Sequence, residues 1–182
     1  MNDLNENSES ELIKESFTFP PVRIVVLAHN ENDWFRESVA SFANQNYSDK
    51  QLTVLSTGGI DWIETIVSQY FPEADVAQVN GEDGLGANFN KVLESSDEPA
   101  FYFFCHHDVA LAPDAIRLMV EESYRSNAAV VGPKIVNWER PNELLDVGVH
   151  VNRFAVPIGR VSSGEIDQEQ FDSVEEVFAV SN

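Results

Sequence analysis

The strongest constraint on the fold is a nearly continuous run of β-branched and aliphatic side chains at residues 22–28. Such a run is typical of a strand that is covered on both faces of a sheet. The following segment places Phe35, Val39 and Phe42 at helical spacing with polar residues between them, which predicts an amphipathic helix. The ordered part of the chain is therefore expected to begin with a buried strand and a helix that covers it.

The same strand-then-helix pattern repeats along the chain. Residues 52–55 predict a second strand, and the next segment predicts a helix with Ile63, Ile66, Val67 and Tyr70 on one face. Further elements are predicted at residues 76–79 (strand), 87–93 (helix) and 100–105 (strand). Regular alternation of this kind implies an α/β domain with a mostly parallel central sheet and helices on both faces.

The second half of the chain is predicted to be richer in short strands. Pro113 suits the first turn of a helix that carries Ile116, Met119 and Val120. The short strands are expected at residues 128–131, 134–138, 145–151 and 177–180. Residues 165–176 hold six acidic side chains and no basic one, which predicts a solvated loop before the last strand.

Composition and charge limit the kinds of partner. The 182 residues, 43% of them hydrophobic, fit one domain at residues 20–182 after a flexible acidic leader at residues 1–19. A net charge of −20 repels nucleic-acid phosphates and anionic lipid headgroups, so we expect no nucleic-acid partner and no direct membrane insertion. The lone Cys105 lies in an apolar run, which predicts a buried thiol and excludes an internal disulfide.

Polar loops follow three of the predicted strands. They are His29-Asn30-Glu31, Ser56-Thr57-Gly58-Gly59 and His106-His107-Asp108. In an open parallel sheet, ligands bind beyond the carboxyl ends of the strands, so we expect these loops to converge on one binding edge. Each loop also has a purely structural interpretation: Asn30 or Asn32 as a helix cap, a plain turn at residues 56–59, and histidines that pair with backbone while Asp108 caps the next turn.

The His106-His107-Asp108 cluster is the most specific of the three. Two imidazoles and a carboxylate at the end of a buried aromatic strand present metal ligands at one exposed point. Such a cluster suits Mg²⁺ or Mn²⁺ beside a diphosphate. To bind a phosphorylated small molecule, the acidic domain would need a divalent cation, backbone N–H groups or a few well-placed basic side chains, and a metal-dependent phosphate site fits this requirement.

In order along the chain, these motifs resemble those of family 2 glycosyltransferases. Residues 25–31 resemble the family's opening strand and its Asn-containing donor loop, and Gln45-Asn46-Tyr47 resembles the motif that ends the first helix. Residues 84–91 resemble the family's glycine- and alanine-rich segment near the donor. Residues 104–113 resemble the family's strand, its Asp-x-Asp metal motif and the start of the helix that follows. Residues 164–170, with the metal motif, are most similar to actinobacterial cell-envelope glycosyltransferases.

The resemblance implies a GT-A fold that binds a nucleotide-diphosphate sugar and transfers a hexosyl or pentosyl group with inversion. The acceptor would be a cell-envelope polysaccharide or glycolipid, and Mg²⁺ or Mn²⁺ the cofactor. By the same resemblance Asp108 and His106 would bind the metal. The implied donor-binding residues are Ala28, His29, Asn30, Glu31, Ser56, Thr57, Gly58, Asn90 and His107.

The sequence departs from the family pattern in ways that affect the site. Residues 56–59 replace the usual Asp-Asp-Gly-Ser loop, and His106 replaces the first aspartate of the metal motif, which predicts weaker metal binding. The catalytic base of the family would lie beyond Asn182, so the domain is expected to be incomplete at its C-terminal side.

Two other classes of function stay open at this stage. One is a non-catalytic GT-A-like binding or interaction domain, which the motif departures favour. The other is a nucleotidyltransferase or metal-dependent hydrolase, although no glycine-rich phosphate loop follows the first strand. Without an export signal or a membrane-spanning run, the expected location is the cytoplasm, or the inner face of the membrane through a longer parent chain.

Overall fold

Four parallel strands form the central sheet of the computed structural model, which describes residues 19–94 and 99–180. In chain order the strands are β1 (Val22–Ala28), β2 (Lys50–Ser56), β3 (Asp75–Gln78) and β4 (Phe101–His106). Their spatial order is β3-β2-β1-β4, and all three pairings are parallel. The chain thus first moves outward from β1 to β3 and then returns to the other side of β1. This reversal leaves a crevice at the carboxyl ends of β1 and β4.

The described residues contain four α-helices that cover both faces of this sheet. They are α1 (Asp33–Ala43), α2 (Asp61–Val67), α3 (Gly84–Leu93) and α4 (Ala115–Ser126). On one face, Ile24 and Val26 of β1 pack with apolar residues of α1, α2 and α4, and on the other Val25 and Leu27 pack with Phe89 of α3. The predicted α/β architecture is therefore confirmed, and its double cover explains why every residue of β1 is buried.

The Gln45-Asn46-Tyr47 motif joins the end of α1 to its surroundings. The Gln45 amide donates to the carbonyl oxygen of Ala112 (2.8 Å) and accepts from the Ile116 amide (3.1 Å), which ties α1 to the start of α4. The Tyr47 hydroxyl donates to the carbonyl oxygen of Pro20 at 2.6 Å, ahead of β1. The motif therefore has a structural role: it satisfies backbone groups where three segments meet.

Tyr47 should make the fold sensitive to alkali. Burial, assisted by Tyr124 and Asp49, raises the pKa of Tyr47 to about 12. Because the unfolded chain loses this proton at lower pH, the free energy of unfolding should fall as pH rises from about 10 towards 12. Urea unfolding at several pH values should show a smaller loss over this range for Tyr47→Phe than for the wild type. Equal losses in both proteins would contradict this prediction.

The predicted end of the second helix is wrong. Helix α2 ends at Val67 instead of continuing to Tyr70, which is exposed. The backbone amide of Gln69 donates to the carbonyl oxygen of Ile66, which makes a tighter turn than that of the α-helix, and Pro72 disfavours helical geometry in the residue before it.

Cys105, as predicted, is buried, and burial raises the pKa of its thiol.

The short strands of the second half lie partly at other positions than predicted. Its described strands are β5 (Ile135–Val136), β6 (Leu144–Asp146), β7 (Val149–Val151) and β8 (Pro157–Gly159), in two antiparallel pairs, β5-β6 and β7-β8. The predicted strand at residues 145–151 breaks at Gly148, which has a φ of 95°. Residues 128–131 are not a strand, and residues 177–180 make a single bridge, between Ala179 and Val149. An apolar run becomes a strand only where a partner strand meets its backbone groups, and no described strand pairs with residues 128–131.

The acidic segment at residues 165–176 is a loop, as predicted. Basic residues outside it hold it to the rest of the domain: Lys134 pairs with Asp167 and Asp172, and Arg160 with Glu175. The predicted leader lies almost wholly outside the described residues.

Candidate functional site

The loops after β1 and β2 meet at the carboxyl edge of the sheet. Nδ1 of His29 lies 2.9 Å from the hydroxyl oxygen of Thr57, so the two predicted loops are joined by a hydrogen bond between side chains. A Cβ atom on Gly58 would lie 2.8 Å from the carbonyl oxygen of His29, closer than real Cβ atoms approach. The absence of a side chain at Gly58 thus permits the contact between the loops.

The turn at residues 56–59 is held by Ser56. Its buried hydroxyl donates to the carbonyl oxygen of Gly59 and accepts from the Gly58 amide, both at 3.2 Å. The Thr57 amide donates to the carbonyl oxygen of Ala28 at 3.0 Å. Ala28 and Ser56 are both completely buried. These two predicted donor-binding residues therefore lie beneath the edge and support it. His29, Asn30 and Glu31 are exposed to solvent, and Thr57 is partly exposed.

The three residues after the aromatic part of β4 have different environments. Asp108 is exposed, His106 is partly buried and His107 is buried. The His107 ring donates to the backbone carbonyl of Leu27, and its own carbonyl accepts from the Ser38 hydroxyl at 3.0 Å. Burial lowers the pKa of His107, and the opposing effect of Asp108 is smaller. His107 is thus a neutral side chain that anchors this loop to β1 and α1.

Histidines from both sides of the crevice approach one another. The ring centroid of His29 lies 6.2 Å from that of His106 and 5.9 Å from that of His107, whose plane is nearly perpendicular. The Nδ1 atom of His107 is buried and has no hydrogen-bond partner among the described residues. The loops after β1, β2 and β4 therefore converge at the crevice, as the sequence predicts.

The metal ligands are sparser than the motif implies. Within residues 19–94 and 99–180, no group of three or more His, Cys, Asp or Glu side chains is arranged to hold a metal ion. Because the His107 ring is hydrogen-bonded to the backbone of Leu27, Asp108 and His106 are the side chains of this cluster that remain as metal ligands. Mg²⁺ commonly binds through one or two carboxylates together with substrate phosphates and water, so this set fits a metal that arrives with a phosphorylated ligand.

Helix α3 contains two asparagines, and Asn90 is the predicted donor-binding residue of the two. Asn90 is exposed, while Asn88 is only 1% exposed. The Asn88 amide donates to the carbonyl oxygen of Asn80 (3.1 Å) and its oxygen accepts from Lys91 (3.1 Å). Asn88 thereby fixes α3 against the loop that follows β3. The sequence signal for it was a polar residue on the apolar face formed with Phe89 and Val92.

A tryptophan pair that sequence reasoning missed lies beside the first loop. Trp34, in the first turn of α1, packs edge-on against Trp138 with ring centroids 5.1 Å apart. Trp138 follows β5, so this contact brings the second half of the chain close to the loop that carries His29. Its only sequence signal was a large aromatic residue directly after a polar loop.

No described helix combines the length and apolar character that crossing a membrane requires.

Comparisons with known proteins agree with this architecture. Two crystal structures share the fold: S. aureus TarS, with a TM-score of 0.55 and 19% identity, and S. aureus TarS 1–349, with 0.52 and 17%. The matches cover 63% and 70% of this chain, but 21% and 42% of those chains, so the chain spans less than half the length of either. At these identities the likeness establishes the fold alone.

A search of curated protein sequences finds no match. The predicted likeness to actinobacterial enzymes stays a prediction. The model of glycosyl transferase family 2 matches residues 23–153, which is more than two thirds of the chain and includes the four strands of the central sheet except for Val22. With the GT-A-type parallel sheet and the loops that converge at its carboxyl edge, this match establishes that the chain belongs to glycosyl transferase family 2.

Proposed function

We propose that this domain binds a nucleotide-diphosphate sugar in the crevice between β1 and β4 and takes part in transfer of the sugar. The observation that carries the proposal is the convergence of three loops at this edge, joined by the His29–Thr57 hydrogen bond. Ligands of open parallel sheets bind where the strand order reverses, and here the reversal lies between the loops of His29 and Asp108.

In this proposal, different segments of the site contact different parts of the donor. The His29-Asn30-Glu31 loop and the turn at residues 56–58 face the nucleoside. Asp108 and His106 lie at the diphosphate, and Asn90 is assigned to the sugar side. His107 supports the diphosphate side from below, since it is buried, neutral and bonded to Leu27.

The strongly negative domain needs a cation to accept a diphosphate. With a net charge of −20, an unassisted diphosphate would be repelled. Asp108 and His106 supply one carboxylate and one imidazole, and diphosphate oxygens and water would complete the coordination of Mg²⁺ or Mn²⁺. When bound, the ion neutralises the charge on the departing diphosphate. Metal binding should therefore be strong only when the nucleotide is present.

The remaining parts of the proposal concern the transfer itself. We propose that a hexosyl or pentosyl group is passed, with inversion, to a cell-envelope polysaccharide or glycolipid. Nucleotide sugars are made in the cytosol, so the reaction would take place in the cytoplasm or at the inner face of the membrane.

Calorimetric titration with UDP, GDP and dTDP, each with and without Mn²⁺, tests donor binding directly. We expect one nucleotide to bind, and to bind only with Mn²⁺. Asp108→Ala should weaken this binding by at least about tenfold, or about 1.4 kcal/mol, because it removes the only carboxylate of the cluster. Glu73→Ala is the matched control: Glu73 is an exposed acid just before β3, at the opposite edge of the sheet, and should leave binding unchanged.

A second candidate, a non-catalytic GT-A-like binding domain, is favoured by the single carboxylate of the metal cluster. The same titration distinguishes the two. Failure of all three nucleotides to bind in the presence of Mn²⁺ would support the non-catalytic domain and reject the donor site.

A further inference from the structure

The loop that carries Asp108 is held by side chains of helix α1. This Asp108 loop (residues 107–114) lies between β4 and α4 and forms neither helix nor strand. Ser38 and Ser41 lie three positions apart in α1, so their hydroxyls are on the same side of the helix. Each hydroxyl contacts the backbone of the Asp108 loop, 69 and 70 residues further along the chain.

Ser41 makes two hydrogen bonds whose directions are fixed by its partners. Its hydroxyl oxygen accepts from the backbone amide of Leu111 at 3.0 Å, and its proton is donated to the carbonyl oxygen of Ser38 at 2.7 Å. An amide N–H can only donate and a carbonyl oxygen can only accept, so the roles cannot be exchanged. Without the hydroxyl, the amide of the partly buried Leu111 would lose the acceptor that the structure gives it.

Ser38 attaches the loop on the other side of Asp108. It is completely buried, and its hydroxyl oxygen lies 3.0 Å from the carbonyl oxygen of His107 and 3.1 Å from that of Trp34. Ser38 is the donor towards both oxygens, because a carbonyl oxygen only accepts. Residues 108–110 therefore lie between two points that are attached to the same helix.

The position of the Asp108 carboxylate depends on this attached backbone. Within the described residues, no hydrogen bond or ion pair holds the carboxylate itself, and the residue is exposed. Val109 and Leu111 pack against the hydrophobic core. Helix α1 directly follows the loop of His29, so the helix that continues from one side of the crevice also holds the other side.

We propose that Ser41, together with Ser38, is a positioning residue that holds Asp108 at the crevice for a metal-bound diphosphate. Both serines act through the backbone of the Asp108 loop. When the loop is released, the metal and the diphosphate must order it as they bind, and this ordering lowers their affinity. The inference rests on the proposed donor function for its ligand, but the attachment of the loop can be measured without any nucleotide.

Amide hydrogen exchange, followed by NMR, tests the attachment in the nucleotide-free protein. The Leu111 amide should be protected in the wild type, and Ser41→Ala should speed its exchange at least about tenfold because the acceptor is lost. Ser41→Thr, which keeps the hydroxyl, should restore protection. Ser126→Ala is the matched control: its hydroxyl donates to the Glu122 carbonyl within α4, and its loss should leave Leu111 unchanged. An unprotected wild-type amide, or equal exchange in the wild type and Ser41→Ala, would overturn the attachment.

Calorimetric titration with UDP, GDP and dTDP over a range of Mn²⁺ concentrations tests the positioning role. Ser41→Ala should raise the Mn²⁺ concentration that half-saturates nucleotide binding at least about threefold, whereas Ser41→Thr and Ser126→Ala should not. Ser38→Ala should act in the same direction, since it releases the other side of Asp108, and it takes the place of Ser41→Ala if that variant does not fold. An unchanged Mn²⁺ requirement in a Ser41→Ala protein with faster Leu111 exchange would show that the serine is purely structural.

The two tests separate this inference from the proposed function. If no nucleotide binds to the wild type, the donor function and the positioning role both fail, while hydrogen exchange still decides whether Ser41 holds the loop. If a nucleotide binds with the same Mn²⁺ requirement in the wild type and Ser41→Ala, the donor function stands and the positioning role is rejected.

Discussion

Replacing Phe35 by alanine is expected to lower the free energy of unfolding by about 3–5 kcal/mol. Phe35 is completely buried in the first turn of α1, between the sheet and α2, and its ring packs edge-on against Trp62 at 5.0 Å. Truncation would leave a cavity under the first turn of α1, which directly follows the loop of His29, and a closely packed core relaxes only partly around such a void. Urea unfolding, followed by circular dichroism, measures the loss.

Trp34→Ala is the matched control for this prediction. Trp34 is the preceding residue on the same turn, is 40% exposed and packs against one ring, that of Trp138. Its removal should cost about 1.5 kcal/mol or less. If Phe35→Ala is too unstable to purify, Phe35→Leu should still fold at a smaller cost. Equal losses for Phe35→Ala and Trp34→Ala would contradict the packing described for α1.

Replacing Gly58 by alanine is expected to damage both stability and nucleotide binding. The new Cβ would lie 2.8 Å from the carbonyl oxygen of His29, and a backbone atom cannot rotate away as a side chain can. The loops after β1 and β2 would have to separate, at a cost of about 1–3 kcal/mol, as is typical of overpacking. Because separation breaks the His29–Thr57 hydrogen bond, nucleotide affinity should fall by more than about tenfold.

Gly59→Ala serves as the control in the same turn. A Cβ atom on Gly59 would have no heavy atom of another part of the chain within 4 Å. Its effect on stability should stay within about 0.5 kcal/mol, and nucleotide binding should be unchanged. Urea unfolding and calorimetry on both variants measure the difference. If Gly59→Ala weakens binding as much as Gly58→Ala does, the close approach to His29 is not the cause.

Predictions from the sequence were most accurate where local pattern and tertiary environment agree. The run at residues 22–28, apolar except for Arg23, matches β1 residue for residue, because a strand covered on both faces buries all of its positions. Arg23 is buried as well, and its guanidinium donates to the Gln51 side chain of β2 at 2.9 Å. Phe35, Val39 and Phe42 form the buried stripe of α1 because helical spacing places them on one side. Asn32, one of the two predicted caps, accepts from the Phe35 amide at 2.9 Å.

Local pattern failed where an element depends on a distant partner. Residues 128–131 are apolar, and two of them are β-branched, yet no described strand pairs with them, and residues 177–180 meet β7 at one bridge. The sequence also could not divide the roles of neighbouring polar residues. In the sequence, His106, His107 and Asp108 form one cluster. In the structure, hydrogen bonds with Leu27 and Ser38 hold His107 below the edge.

The sequence by itself determined the order of strands and helices between residues 22 and 126, the parallel sheet and the edge at which the polar loops would gather. These follow from periodicity and from the rule that crossovers place the carboxyl ends of parallel strands together. The tertiary structure alone decided which polar groups are buried and which hydrogen bonds they make, including the contact of His29 with Thr57. The His29–Thr57 contact joins residues 28 positions apart, and its geometry depends on the register between β1 and β2, which no local pattern encodes.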